Sequence, residues 1–172
     1  MMGAGKSAVG RSLALALGVR FVDSDDEITE RSGRSLGEIF EREGEAGFRK
    51  REREAIDAVA GQAAVVSLGG GAIAQPDAAE RLASSGIVVY LRARPETLLS
   101  RIGAAAGRPL LANLDERARE ARLEQLIAAR SAANASAAIV VDTDDLDIDE
   151  VADLVARRLA EASLPIGRAG GA

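Results

Sequence analysis

A chain of 172 residues, 47% hydrophobic and 28% charged, has the size and apolar content of one folded domain, which excludes an intrinsically disordered chain. Cysteine and histidine are both absent, so disulfide frameworks, thiolate or imidazole metal sites, thiol nucleophiles and Ser-His-Asp triads are closed to it. Acidic residues outnumber basic ones, 27 to 22, and the only aromatics are Phe21, Phe40, Phe48 and Tyr90, so no nucleic-acid partner is expected.

In chain order, apolar groups at Val9, Leu13, Ala16 and Leu17 recur with a helical period, predicting a helix over 7–17 that Gly18 stops. Val19 to Val22 reads as a short strand ending in Asp23-Ser24-Asp25. Ser35, three residues before Glu38, has capping-box spacing and opens a short helix through Glu41. Glu45 to Val59 reads as a solvated helix with Phe48, Ile56 and Val59 turned inward. The unbroken apolar runs at 63–68, 87–91 and 139–141 predict strands buried on both faces of a parallel sheet. Pro76 fits the first turn of one intervening helix, and Pro95 opens another that runs to Ile102. Helices are also predicted within 114–133 and over 149–162, with a frayed tail from Ser163. Strands alternating with helices give an α/β, doubly wound fold, with no repeat and no linker to divide it. The arginine surplus (only Lys6 and Lys50 are lysines) reads mostly as GC-rich coding bias. No apolar stretch approaches the roughly 20 residues of a membrane span, and no signal peptide is evident, so cytoplasmic location without a membrane partner is expected.

Gly3-Ala4-Gly5-Lys6-Ser7, running straight into a helix, has the chemistry of a phosphate-binding loop. Small residues let backbone N–H groups close round phosphate oxygens, and a helix N-terminus favours negative charge. Lys6 would reach the β/γ-phosphates of ATP and Ser7 would hold Mg²⁺. The full pattern also needs a glycine five positions before Gly5, ahead of Met1, and a strand leading into the loop. The expectation is a truncated or misassigned start, lacking about ten residues of a central strand. A chain beginning at Met1 is then expected to fold poorly or to bind ATP weakly.

Other motifs speak to a second substrate. Asp23 and Asp25, two residues apart at a strand end, would project to one side, one serving a metal shell and the other a hydroxylated substrate, unless they merely cap a turn. Gly69-Gly70-Gly71 behind a buried strand permits close backbone approach by a ligand. Arg49 and Arg130 are candidates for gripping a carboxylate. Gly107-Arg108-Pro109-Leu110-Leu111, after the small residues Gly103 to Ala106, has the composition of a mobile flap carrying an arginine towards transferred phosphate.

Taken with Glu43-Gly44-Glu45, Phe48-Arg49, Ser67-Leu68-Gly69-Gly70-Gly71-Ala72, Val88-Val89-Tyr90-Leu91 and Arg108-Pro109-Leu110-Leu111, the loop and the paired aspartates resemble the shikimate kinase family over roughly residues 1 to 160. The resemblance implies a P-loop, nucleoside-monophosphate-kinase-like fold with a five-stranded parallel sheet in the order 2-3-1-4-5, the first strand missing here. It implies one kinase domain over 1–162, a substrate-binding helical segment over about 24–61 and a flap over about 102–115. The implied reaction moves the γ-phosphate of ATP to the 3-hydroxyl of shikimate, on the route to chorismate and the aromatic amino acids.

Carried over residue by residue, Lys6, Asp25 and Arg108 are catalytic. Gly3, Ala4, Gly5, Lys6, Ser7, Ala8, Arg101 and Arg108 bind nucleotide, with Arg101 against the adenine. Ser7 ligates Mg²⁺, and Asp23 supports it through water. Asp25, Arg49, Gly69, Gly70, Gly71 and Arg130 bind shikimate. A monomer is expected. Where relatives continue after Arg130 with Pro-Leu-Tyr, this chain reads Ser131-Ala132-Ala133-Asn134, which puts the packing behind Arg130 in question. Two alternatives stay open: another small-molecule kinase of this fold, such as a gluconate kinase, and a non-catalytic nucleotide-binding relic.

Overall fold

Two glycines bracket the first helix. Gly5 and Gly18 take left-handed backbone angles, φ 77° and 66°, which glycine adopts without steric penalty. Between them α1 (Lys6–Leu17) buries Val9, Gly10, Leu13 and Ala14; Val9 and Leu13 were expected inward, but Ala16 and Leu17, expected on the same stripe, are exposed. The computed structural model describes residues 3–75, 77–102, 114–130 and 134–163 of the chain.

After β1 (Arg20–Asp23) come α2 (Ser24–Ser32) and α3 (Leu36–Val59). Ser35 and Glu38 form the expected capping box at the start of α3. The helix does not stop at Glu41, however. It continues to Val59 through a kink at Gly44, whose φ of 66° and ψ of −172° interrupt the helical geometry. Arg51 donates to both carboxylate oxygens of Glu43, at 2.7 and 2.8 Å, and so ties the two arms across the kink.

β2 (Ala64–Ser67) leads through the three glycines into a 3₁₀ turn (Ala72–Ala74) and α4 (Ala78–Ser85). The N-cap of α4 is Asp77, so its first turn does not begin at a proline, and Pro76 lies outside the described residues. β3 (Val89–Arg92), α5 (Pro95–Ile102), α6 (Glu116–Ala129), β4 (Ile139–Asp142) and α7 (Ile148–Ser163) complete the order. β3 starts two residues later than predicted and leaves Ile87 exposed; α7 takes in Ser163, which had been expected to begin a tail.

All strand pairing is parallel. β1 runs beside β2 with Phe21 opposite Val65, and β3 beside β4 with Leu91 opposite Val141. The four strands form two separate pairs, and among the described residues no strand lies between β2 and β3. The pairs β1-β2 and β3-β4 match the two flanks of the expected 2-3-1-4-5 order. The open middle has a direct effect on burial: Ala64, Val65, Val66, Val89 and Tyr90, expected to be covered on both faces, are only half-buried.

One apolar cluster joins Val9 and Leu13 of α1 to Leu91, Leu98, Leu123, Val141 and Val155. A second, with Ile28, Ile39, Phe48 and Ala55, holds α2 against α3. Among the described residues no helix is long and apolar enough to cross a membrane. The strands' C-terminal ends, at Asp23, Ser67 and Thr143, all open on one cavity of about 1240 Å³. That is where open α/β sheets place their ligands.

Candidate active site

The floor of the cavity is the turn into α1. Gly5, in left-handed geometry, caps the helix without any side-chain bond to its first N–H groups, which leaves them to an anion. Gly3 (φ 76°) sits so close to α5 that an added Cβ would lie 2.9 Å from Ile102 and 3.0 Å from the Leu98 carbonyl. Gly3, Ala4, Gly5, Lys6, Ser7 and Ala8 all line the cavity, as the loop reading requires.

Beside the loop, the Ser7 hydroxyl donates to Asp23 Oδ2 at 2.6 Å and lies 3.3 Å from Ser67 Oγ. These are adjacent hard oxygen donors, the kind Mg²⁺ accepts alongside phosphate and water. Among the described residues no group of three carboxylates gathers at a point, so a metal here would depend on a ligand's own oxygens.

Asp23 and Asp25 come together by a different route from the one expected. Asp23 ends β1 and caps α2, accepting from the Asp25 N–H at 3.1 Å; Asp25 belongs to the first turn of that helix, not to the strand. Both still line the cavity. Burial pushes the Asp25 carboxyl above its usual range, and the neighbouring Asp23 charge adds to this; Lys6 and Arg49 oppose it.

Glu45 to Val59 is less solvated than predicted, because Glu52 is wholly buried. Its Oε2 accepts from Arg49 Nη1 at 2.8 Å and from Gln75 Nε2 at 2.7 Å, while Oε1 has no partner among the described residues. Burial raises the Glu52 pKa, against the pull of Arg49. The sequence reading, which turned only Phe48, Ile56 and Val59 inward, did not single out Glu52. The overlooked signal is spacing: residues 48, 52, 55 and 59 form one inward stripe, Phe48, Glu52, Ala55 and Val59. Ser24 was missed as well. Only 2% exposed, its hydroxyl accepts from the Gly69 N–H at 2.8 Å and pins the glycine run to α2.

The glycine run faces charged groups one by one. A Cβ on Gly69 would lie 2.5 Å from Glu52 Oε1 and 3.1 Å from Asp25 Oδ1. On Gly70 it would lie 3.4 Å from Arg130 Nη1, and on Gly71 2.5 Å from Arg49 Nη2. Arg130 is the C-cap of α6. Burial lowers its pKa, and the nearby Arg49 and Arg122 guanidiniums lower it further. Two like charges held over one glycine strip favour an anion between them.

Of the segment behind Arg130, Ser131, Ala132 and Ala133 lie outside the described residues. Asn134 is 8% exposed, its N–H donates to the Arg130 carbonyl at 2.8 Å, and its side chain hydrogen-bonds Tyr90 of β3. At the far end, Arg101 donates to Thr143 Oγ1 at 2.9 Å and to the Thr143 carbonyl, and both residues line the cavity. Every predicted site residue among those described therefore borders the same cavity. Arg108 and most of the predicted flap lie outside the described residues.

A family profile described as shikimate kinase matches residues 2–160 of the chain. A shikimate kinase of Halorhodospira halophila is 45% identical over 163 residues, covering 94% of this chain and 88% of the relative. One from Francisella tularensis subsp. holarctica is 41% identical over 166 residues, with coverage of 95% and 93%. Among solved structures, shikimate kinase from Acinetobacter baumannii in complex with shikimate superposes with a TM-score of 0.85 at 38% identity, covering 95% of this chain and 90% of that one. Shikimate kinase from Bacteroides thetaiotaomicron gives 0.83 at 33% identity, covering 94% and 93%.

Proposed function

The chain belongs to the shikimate kinase family, and on that premise we propose how its own residues divide the work. The reaction is ATP-dependent phosphorylation of the shikimate 3-hydroxyl, giving shikimate 3-phosphate and ADP. One observation carries the division of labour: an anion-binding helix start and a pair of guanidiniums over a glycine strip border the same cavity, with a buried carboxylate on its wall.

Gly3 to Ala8 enclose the ATP phosphates, and Arg101 bounds the base end. Ser7 and Asp23 fit Mg²⁺ in type and proximity, Asp23 acting through water. Bound with the nucleotide, the ion would offset charge on the phosphate oxygens. Arg49 and Arg130 grip the shikimate carboxylate, and Gly69, Gly70 and Gly71 line its ring. That leaves Asp25 for the ring hydroxyls. As the 3-oxygen bonds to the γ-phosphorus and the bond to the β–γ bridging oxygen breaks, Asp25 accepts the hydroxyl proton and ADP departs. Its raised pKa, the direction burial dictates, suits a proton acceptor better than an ordinary aspartate would. Lys6 and Arg108, the latter on the family resemblance alone, stabilise the transferring phosphoryl group. None of this calls for imidazole or thiol, so the absence of histidine and cysteine costs the mechanism nothing. The net charge of −5 speaks against a nucleic-acid partner, and a cytoplasmic monomer acting on small molecules is part of the same proposal.

A coupled ADP-release assay comparing shikimate with gluconate and quinate tests the assignment. Turnover with shikimate alone is expected, lost in Lys6→Ala; ADP release independent of shikimate, or a preference for gluconate, would overturn it.

A further inference from the structure

Among the described residues Arg49 pairs with two carboxylates of different kinds. Glu45, 3.3 Å away, is exposed and its pull is weakened by solvent, whereas Glu52, 2.8 Å away, is wholly buried. The Glu52 oxygen that holds Arg49, Oε2, accepts a second bond from Gln75 Nε2 at 2.7 Å, a residue 23 positions further along the chain. Gln75 is itself a fixed point. It caps the 3₁₀ turn, its N–H donating to the Ala72 carbonyl at 3.3 Å and its carbonyl accepting from the Ala78 N–H at 3.2 Å. Its side-chain carbonyl accepts from Arg53 Nη2 at 3.4 Å. Gln75 lies outside the described lining of the catalytic cavity, so it reaches no substrate there.

Two physical effects pass from Gln75 to Arg49. A carboxylate held by one donor can still turn about its last bond, because that torsion is broad. A second donor on the same oxygen removes the freedom and sets the direction from which Oε2 meets the guanidinium. Burial supplies the other effect: a buried carboxylate needs compensating bonds to stay charged, and only the charged form gives Arg49 a strong partner. Burial raises the Glu52 pKa, and the bond from Gln75 works against that rise. Gln75 also fastens one end of the glycine strip. Ser24 pins Gly69 at 2.8 Å and Gln75 pins the far end to α3, so Gly71 and the guanidinium above it are held by the same bonds.

We infer that Gln75 is a positioning residue for the carboxylate grip: through Glu52 it orients Arg49 over Gly71, with no contact of its own to the substrate. This rests on the reading of Arg49 as a shikimate-carboxylate ligand and deepens it.

Gln75→Met keeps nearly the length and volume of the side chain and removes the donor; Gln75→Ala removes both. Each should raise KM for shikimate about 3- to 10-fold, with kcat and KM for ATP within about twofold of the parent. In a Glu52→Gln background the same Gln75→Met change should move KM for shikimate by less than about twofold, because its effect runs through the carboxylate. Arg49→Ala, measured alongside, should raise KM for shikimate at least about tenfold. If Arg49→Ala does so and neither Gln75 variant raises that KM, the inference falls while the reading of Arg49 stands, even if both Gln75 variants melt earlier. If Arg49→Ala leaves KM for shikimate unchanged, both fall. Equal rises in the two KM values, or an undiminished effect of Gln75→Met beside Glu52→Gln, would also overturn the inference.

Discussion

A Cβ atom on Gly71 would stand 2.5 Å from Arg49 Nη2 and 2.8 Å from Nη1. Gly71 has φ −110°, an angle any residue can adopt, so the requirement for glycine comes from the guanidinium and not from the backbone. Arg49 is held by Glu52 at 2.8 Å and Glu45 at 3.3 Å and lies 5.2 Å over the Phe48 ring, so displacing it disturbs all three contacts.

Gly71→Ala should therefore leave the fold alone and displace Arg49. We expect a thermal midpoint within about 2 °C of the parent, since a long side chain can swing aside. Losing one well-aligned guanidinium–carboxylate bond should raise KM for shikimate about 10- to 100-fold, from the 1.5–3 kcal/mol typical of such bonds. KM for ATP should not change. Steady-state kinetics with each substrate varied in turn make the comparison, and a rise in both KM values would place the effect elsewhere.

Asp25→Asn should slow the enzyme and stabilise it. A general base contributes about 10²–10⁴ in kcat, so on the proposed role the variant's kcat should fall by that factor. Its folded-state pKa lies above the unfolded one, so the unfolded chain gives up this proton first as pH rises, and ionisation then works against folding. Stability from this group is full below the unfolded value, about 3.9, and is lost as pH climbs through the folded value. Asparagine avoids that loss. The variant's thermal midpoint should exceed the parent's at pH 7, and the gap should close as pH falls towards 4. A gap that does not depend on pH would show that packing, not charge, separates the two proteins.

How far the sequence foretold this site depends on where each residue's partners lie. The loop around Lys6 was legible because its chemistry is local: glycines, a lysine and a serine running into a helix with αL geometry at Gly5. The capping box at Ser35 was legible for the same reason. Glu52 was not, because its burial follows from α3 continuing past Gly44, and a glycine between two charged residues reads as a break. Asp25 was assigned to the right cavity by the wrong geometry: a strand and a helix turn can both bring i and i+2 near one ligand, and the Asp23 cap selects the helix. The strands were found from their apolar runs; those runs predicted burial on both faces, and the half-burial of β2 and β3 follows instead from the space between them.

Glu52 offers a sharper test of the same cluster. Glu52→Ala leaves Arg49 and Gln75 without their shared acceptor, which is itself wholly buried. Breaking one partner from a buried pair costs about 3–5 kcal/mol when both ions are buried; Arg49 is partly exposed, so a smaller loss of about 2 kcal/mol is expected. That corresponds to a thermal midpoint lower by roughly 4–8 °C. Glu52→Gln retains a carbonyl acceptor and should recover most of the stability. It should recover less of the shikimate KM, because the charge that fixes the Arg49 guanidinium is gone.

Ser7→Ala removes one of two adjacent oxygen donors while leaving Asp23 and Lys6 in place. The Mg²⁺ concentration giving half-maximal rate should rise about tenfold, the lower end for loss of a hydrogen-bonding or ligating group worth about 1.4 kcal/mol. Chelation of divalent ions should abolish turnover in both proteins. An unchanged Mg²⁺ dependence in the variant would remove Ser7 from the metal's surroundings.

The helix beneath the site provides a stability test in which two glycines respond in opposite senses. Alanine in a helix interior is favoured over glycine by up to about 1 kcal/mol, so Gly10→Ala gains up to that much locally, and Gly37→Ala, in the first turn of α3, gains less. At Gly37, on the exposed side of α3, the nearest atom to a new Cβ is Ser35 Oγ at 4.0 Å, and nothing opposes the gain. At Gly10, buried in α1, the Cβ would meet Phe21 Cε2 at 2.6 Å with Val65 at 3.6 Å beside it. The Phe21 ring, already covered by the Arg11 guanidinium 4.5 Å from its centroid, must turn away and give up packing between α1 and β1. Overpacking of this kind costs about 1–3 kcal/mol and outweighs the propensity gain. Thermal unfolding of the two variants should thus show Gly37→Ala higher than the parent and Gly10→Ala lower by a few degrees. A stabilised Gly10→Ala would mean that β1 is free to move away from α1, and that the contact between them does not fix the position of Asp23 beneath the phosphate loop.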